Sequence, residues 1–417
     1  MAKPLEGIRV IEIGNLIAGP FAGLLLGDMG ADVIKIEKPN GGDYSRAMPP
    51  MVNGESTSFA VLNRNKRSLA LDLKRPHARE IVLKFAATSD VLLENNRPGA
   101  LDAMGLGAEH LRAVKPDIVY VSVSGFGQTG PYRTRAGVNL TVEAFSGVLS
   151  ITGEPDQKPM RPGVQTADMF GALFGTYAVL SGLVNVLRHK NGSVADVSMV
   201  EASLSVAAWE TAGYLATGEV PQRLGDHHRL NAPYSLFETR DGRWISFSGA
   251  REHFFQRVMK VLGLSQEAAD PRFAKSYLRK KNETALLDIM SPVIRQWEGE
   301  KLESALMEVG VPCSLVNDYQ QVFDDPHMRE RAVLAEIDHP RMGRQKAVRN
   351  PVRLQHDGPD ITRPAPLLGE HTSEILRGIG YDPTSVTALA AAGVIAMPAD
   401  ETGHKETLTK PHSKEAT

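Results

Sequence analysis

The sequence predicts an α/β protein, with a large domain on a parallel, doubly wound sheet and a smaller α+β domain set into its second half. Three observations carry this. Short β-branched runs alternate with helical stretches through the first half of the chain. Those runs are largely apolar without strict alternation, as strands covered on both faces are. Near Gly225 the texture changes to a short β unit around the turn Asp241-Gly242.

Taken in order, residues 8–13 (IRVIEI), 32–37 (DVIKIE), 68–73, 91–94 and 118–123 read as strands. Residues 21–29, 76–88 and 109–114 read as the helices between them, and a long helix is expected over 168–189. A strand and a helix follow from Asp196. Residues 233–237 and 244–248 open the smaller domain. The expected division is 1–225 for the first part of the large domain, 226–325 for the small domain and 326–397 for a return to the large one. Residues 398–417, polar and rich in Thr, Lys, His and Glu, are expected to form a disordered tail.

Composition excludes several classes. The 417 residues carry a formal charge of −2, which argues against nucleic acid or a membrane surface as partner. The N-terminus lacks the basic and apolar regions of a signal peptide, so a cytoplasmic location is expected. The single cysteine, Cys313, lies in an apolar run and reads as a small buried side chain. No zinc-type Cys/His spacing occurs.

Familiar nucleotide motifs fail. Gly14-Asn15-Leu16-Ile17-Ala18-Gly19-Pro20 follows the first strand, yet it has Pro20 where a phosphate loop needs Lys, and it lacks G-x-G-x-x-G spacing. Gly19-Pro20 can still open a helix whose first amides meet a phosphate. No Gly-x-Ser-x-Gly elbow exists. Lys38, Arg46, Lys66, Arg67, Lys74 and Arg97 are expected near the carboxyl ends of strands, where open parallel sheets bind ligands. Any one of them reads equally as a solvated surface cation.

One carboxylate stands out. Asp168 begins a helix whose Gly171, Ala172, Gly175 and Ala178 share a face, so a backbone or ligand can approach closely. At a helix start the dipole and free amides favour an ionised carboxylate, a candidate nucleophile toward a thioester. A plain N-cap aspartate explains the same position without chemistry.

The ordered set of strings settles between these readings by resemblance. Pro4 to Val10 (PLEGIRV), Ala18-Gly19-Pro20, Gly30 to Glu37 (GADVIKIE), Asn65 to Ser68 (NKRS), Leu71 to Lys74 (LDLK), Arg97-Pro98-Gly99, Ser124 to Gly127 (SGFG) and Arg363 to Thr372 (RPAPLLGEHT) occur in sequence. Together they resemble the class III CoA-transferases, the family of formyl-CoA and carnitine CoA-transferases and α-methylacyl-CoA racemase. The resemblance runs from Pro4 to about Ile395. It implies a Rossmann-like large domain, a small domain joined by long linkers, and an interlocked homodimer. It places the catalytic aspartate at Asp168 and CoA contacts at Asn15, Leu16, Ile17, Ala18, Lys38, Leu71 and Lys74. A family arginine near the CoA phosphates corresponds to Ala103, leaving Arg97 as its candidate replacement.

The implied reaction moves CoA from an acyl-CoA to a carboxylic acid through an aspartyl anhydride and an aspartyl–CoA thioester. It requires no cofactor beyond CoA itself. The related racemases carry Ala-Gly-His-Asp where this chain has Ala136-Gly137-Val138-Asn139, and Val138 cannot accept a proton. A racemase and a non-catalytic CoA-binding protein remain the alternatives. His228, Pro233 and Tyr234 match a family stretch, and the glycine-rich loop of formyl-CoA transferase is missing. The likeness is greater to succinyl-CoA-dependent dicarboxylate transferases. His227, His228 and Arg229 then form a basic cluster suited to a distal carboxylate, or simply a solvated loop.

Overall fold

A computed structural model describes residues 2–398. The expected tail lies, from residue 399 onward, outside the described residues. The chain forms two compact units. The first comprises Met1–Ser146, Gly163–Ala208 and the chain from Ala332 onward; the second comprises Gly147–Pro162 and Trp209–Arg331. The second unit is therefore larger than the expected 226–325. It takes in Gly147–Pro162 because that segment is hydrogen-bonded to the approach to Gly225: Gly225 N donates to Gly153 O (3.0 Å) and Arg223 Nη2 to Gln157 O (2.8 Å).

In the first unit, strands β1 (Arg9–Ile13), β2 (Asp32–Glu37), β3 (Lys66–Leu71), β4 (Val91–Glu94), β5 (Val119–Ser124) and β6 (Ser193–Ser198) are parallel neighbours in the order β3-β2-β1-β4-β5-β6. A short antiparallel strand, Ile395–Ala396, adds to β3. The strand order reverses between β1 and β4, the place where doubly wound sheets open a crevice at their carboxyl edge. Both faces are covered. Val10, Val33 and Val121 pack with helices α1 (Ala18–Asp28) and, later in the chain, Thr166–His189; Ile11, Ile34, Leu69 and Leu92 pack with α2 (Pro76–Ala86) on the other side. This two-sided burial is why the strands read as largely apolar runs without strict alternation.

The strand expected at 68–73 begins two residues earlier. Lys66 and Arg67 thus open β3 at its amino edge, and the expectation that they line the carboxyl edge is corrected. Lys66 Nζ is buried against Glu12 Oε2 (2.7 Å), and Arg67 pairs with Asp32 and Glu374. Arg46 is held by both oxygens of Glu37, at 2.7 Å each.

The second unit carries a three-stranded antiparallel sheet of Tyr234–Glu238, Trp244–Ser248 and Cys313–Leu315, with Trp244–Ser248 in the middle. Helices close over it around Phe237, Ile245, Phe255, Leu286 and Leu302.

A candidate active site at the carboxyl edge of the sheet

At the switch point, the loops leaving β1 and β4 are tied to each other. Asn15 N donates to Asn95 Oδ1 (2.9 Å), and Asn95 Nδ2 donates back to Asn15 O (3.0 Å). Gly14 and Gly19 make room for this: a Cβ on either would stand 2.7 or 2.9 Å from Asn95 Oδ1. Leu16 adopts φ +63°, the left-handed region, and its N–H donates to Asp43 Oδ1 (3.1 Å). Beneath the loop, Lys35 Nζ donates to Gly14 O and Glu12 Oε1 and pairs with Asp43 Oδ2, each at 2.8 Å. Burial alone would raise the carboxyls of Glu12 and Asp43, but the buried lysines hold both below their usual range. Ile17, at the N-cap of α1, makes no side-chain cap bond to the head of the helix.

The cations of this edge are Lys38 after β2, Lys74 after β3 and Arg97 after β4, all exposed. Lys38 Nζ lies 4.1 Å from the centre of the Tyr44 ring. Leu71 differs from the other expected contacts. It is 1% exposed, packs in the core and stands opposite Ile395 of the antiparallel edge strand, so the expectation that it contacts CoA is not supported by its position.

Asp168 belongs to α4 (Thr166–His189), reached through α3 (Asn139–Phe145). The small-residue face of α4 lies on β5. A Cβ on Gly171 would stand 3.2 Å from Val123 Cγ1, on Gly175 2.9 Å from Val123 Cγ2, and on Gly182 2.5 Å from Val119 Cγ1. The helix therefore descends from the carboxyl end of β5 to its amino end. Asp168, one turn before Gly171, stands at the same edge as Asn15, Lys38, Lys74 and Arg97. By length and composition alone α4 could cross a bilayer; its glycine face is instead occupied by the sheet.

Asp168 is not the N-cap. That position is Gln165, which makes no side-chain cap bond. The cap comes from α3: Asn139 Oδ1 accepts from Ala167 N (3.0 Å) and Asp168 N (3.2 Å), while Glu143 Oε1 accepts from Thr166 N (3.1 Å) and Thr166 Oγ1 (2.6 Å). The first-turn amides are thus consumed, and among the described residues none donates to the Asp168 carboxylate. Burial, and then the charge of Glu143, push the Asp168 carboxyl up to about 6. Val138 is exposed at the start of α3 and offers no proton acceptor.

A parallel-sheet crevice with exposed cations and one poised carboxylate suits an acidic, thioester-bearing ligand. The model of CoA-transferase family III matches residues 5–372. The chain belongs to this family. It is 36% identical to the succinyl-CoA:glutarate CoA-transferase of Mus musculus over 395 residues, 94% of this chain and 90% of the relative. It is 37% identical to the succinate–glutarate CoA-transferase of Agrobacterium fabrum, covering 89% of this chain and 95% of that one. A crystal structure of a CaiB/BaiF family protein from Brucella suis superposes with a TM-score of 0.81 at 34% identity, over 91% of this chain and all of that one.

His228 and Arg229 of this CoA-transferase family member lie in the second unit, beside a cavity of about 240 Å³ that Trp209, Glu210 and Leu224 also line. His228 Nδ1 accepts from Leu230 N (3.0 Å). Arg229 Nε pairs with Glu210 Oε2 at 2.8 Å and Nη2 donates to Gln222 O, so Arg229 is already neutralised. Sequence reasoning missed Asn95, Asn139, Glu143 and Asp43. Only Asn95 left a signal: it follows the strand next to β1, opposite a loop bracketed by two glycines.

Proposed function

We propose that the chain transfers CoA between dicarboxylic acids, succinate among them, with Asp168 as the nucleophile. The observation that carries this is the Asp168 carboxylate itself, at the head of α4 beside the switch point, with neither a cation nor a hydrogen-bond donor among the described residues to quiet it. The names of the relatives supply the acid class. Asp168 attacks the donor thioester carbonyl, the C–S bond breaks, and CoA leaves as thiolate from a mixed anhydride. The thiolate then attacks the aspartyl carbonyl and expels the donor acid as its carboxylate, leaving Asp168 as a CoA thioester. The acceptor carboxylate repeats both exchanges in reverse and departs as the new thioester. Every bond broken is matched by one formed between the same groups, so no electron acceptor enters.

The protein's share is positioning and charge. The loop of Asn15, Leu16, Ile17 and Ala18, fixed by Asn95 and Lys35, holds the CoA moiety, and Lys38, Lys74 and Arg97 meet its phosphates. Within the second unit, any carboxylate bound by Arg229 would compete with Glu210, beside His228. A second copy of the chain completes the enzyme: Leu173, Tyr177, Leu180, Val184 and Leu187 stand at heptad spacing on α4, each at least 40% exposed. Light scattering on dilution reads that association, and a fully active monomer would end the dimer proposal.

The test of the chemistry is transfer from succinyl-CoA to a panel of dicarboxylic and monocarboxylic acids, with mass spectrometry of the enzyme. The parent should prefer diacids and accumulate a CoA adduct on Asp168. Asp168→Asn should lose transfer by several orders of magnitude while remaining folded. A variant keeping about a tenth of the parent rate would place the chemistry elsewhere.

A further inference from the structure

Glu143 is a fully buried carboxylate beside α4 that the proposed mechanism leaves unused. It is 0% exposed, and its two oxygens differ. Oε1 takes both the N–H and the hydroxyl of Thr166; Oε2 has neither a hydrogen bond nor an ion pair. A carboxylate oxygen withdrawn from water without a partner is costly, and a fold that keeps one has a use for it. The use is suggested by its position on α3. Asn139 and Glu143, one turn apart, bind the amides of Thr166, Ala167 and Asp168 in succession. Those are the donors that would otherwise quiet a carboxylate at a helix start.

We propose that Glu143 is a positioning residue for Asp168: it fixes the first turn of α4 through Thr166 and sets an uncompensated carboxylate oxygen within electrostatic reach of the reacting group, a repulsion relieved when Asp168 is acylated. This rests on the reading of Asp168 as nucleophile. Acylation turns the Asp168 carboxylate into a neutral anhydride and then a neutral thioester, so the strain belongs to the resting enzyme and favours the attack. A carboxylate of raised proton affinity is also the stronger nucleophile. When thiolate attacks its carbonyl, the less basic donor acid is the better leaving group. Burial and the Glu143 charge are the two causes acting on the Asp168 proton. The elements around α4 bring other titratable groups: Asp28 on α1, Glu94 on β4, Tyr120 on β5, Asp196 on β6 and Glu201 on the helix Met199–Val206. None of these contributes.

The experiment measures single-turnover formation of the Asp168–CoA adduct from succinyl-CoA against pH, in the parent, Glu143→Gln and Glu143→Asp. The parent rate should fall on the acid side with a midpoint near 6. Glu143→Gln keeps an oxygen for Thr166 and removes the charge; since burial is the larger of the two causes and remains, its midpoint should drop by about one unit at most but measurably, and its plateau rate should fall several-fold. Glu143→Asp, which keeps the charge, should retain the higher midpoint. A Gln variant with an unmoved midpoint overturns the proposal. So does a parent midpoint in the ordinary carboxylate range, near 4, a result that needs no variant to fold. Absence of any adduct on Asp168 in the parent overturns the nucleophile reading instead, so the two failures are told apart.

Discussion

Glu12 and Asp168 are both carboxylates withdrawn from water in the first unit, and burial acts on both in the same direction. At Glu12 the push is overcome: Lys35 and Lys66, at 2.8 and 2.7 Å, hold it below its usual range. At Asp168 it is not, because the neighbouring charge is the like-signed Glu143. The difference follows what each group is for. Glu12 belongs to a network whose product is a backbone shape, the loop 14–17, and a shape is held by compensated charge. Asp168 is proposed to be consumed and regenerated in each turnover, and a compensated carboxylate would be a poor nucleophile.

The sharpest way to break this comparison is to uncompensate the first site. Lys35→Met leaves Glu12 and Asp43 buried without their shared cation, and Lys66 touches only Glu12 directly. The expected cost is about 3–5 kcal/mol of stability, since removing one partner strands a buried charge. Urea denaturation followed on the first unit measures it. A loss below about 1 kcal/mol would mean that the network relaxes or admits water, and that its geometry does not hold the loop.

The second site should answer with the opposite sign. A carboxyl raised in the folded state is favoured there when protonated, so its folded-state charge opposes folding above the unfolded-state value. The penalty is absent below about pH 4, grows from there to about 6 and is complete above 6. Asp168→Asn removes it. The variant should be more stable than the parent near pH 7, by at most about 3 kcal/mol and by less to the extent that water reaches the group. The advantage should vanish by pH 4. Thermal midpoints of both proteins across that range decide it, and a destabilised variant at pH 7 would show that Asp168 is satisfied in the folded state.

The parallel sheet was legible because its strands are covered on both faces and so lack strict polar alternation: 32–37 and 91–94 were placed to the residue, as was 244–248 of the second unit, where buried Ile245 and Phe247 alternate with more exposed neighbours beside the turn Asp241-Gly242. Strand β3 slipped by two residues because it opens on Lys66 and Arg67, charges that only tertiary partners make tolerable in a strand. The head of α4 was legible from Asp168 and the glycines that follow it. What surrounds Asp168 was not, since Asn139 and Glu143 act across about 25 residues of chain from a helix that gives no local sign of capping another. The extent of the second unit was hidden for a similar reason: 147–162 joins it through its own carbonyls, Gly153 O accepting from Gly225 N and Gln157 O from the Arg223 guanidinium, which no pattern within the segment announces.

The smallest expected effect tests how the loop is held on its other side. Asn95 gives Asn15 one accepted and one donated hydrogen bond, so Asn95→Ala should cost about 1–2 kcal/mol, felt as a raised KM for acyl-CoA with kcat little changed. A general loss of stability would mimic part of this, and Gly14 offers the discriminating partner. Gly14 does not require a left-handed backbone, so the obstacle to Gly14→Ala is steric: its Cβ would stand 2.7 Å from Asn95 Oδ1. In the parent that substitution forces Asn95 off Asn15 and should cost about as much as Asn95→Ala. In the Asn95→Ala background the obstructing oxygen is gone, and Gly14→Ala should then be nearly silent. The double variant should therefore be better than the sum of the singles by about 1 kcal/mol or more, the coupling expected of groups in direct contact. Strict additivity in KM for acyl-CoA would mean that Gly14 and Asn95 act on the ligand separately, and that the switch-point lock is not what shapes the loop.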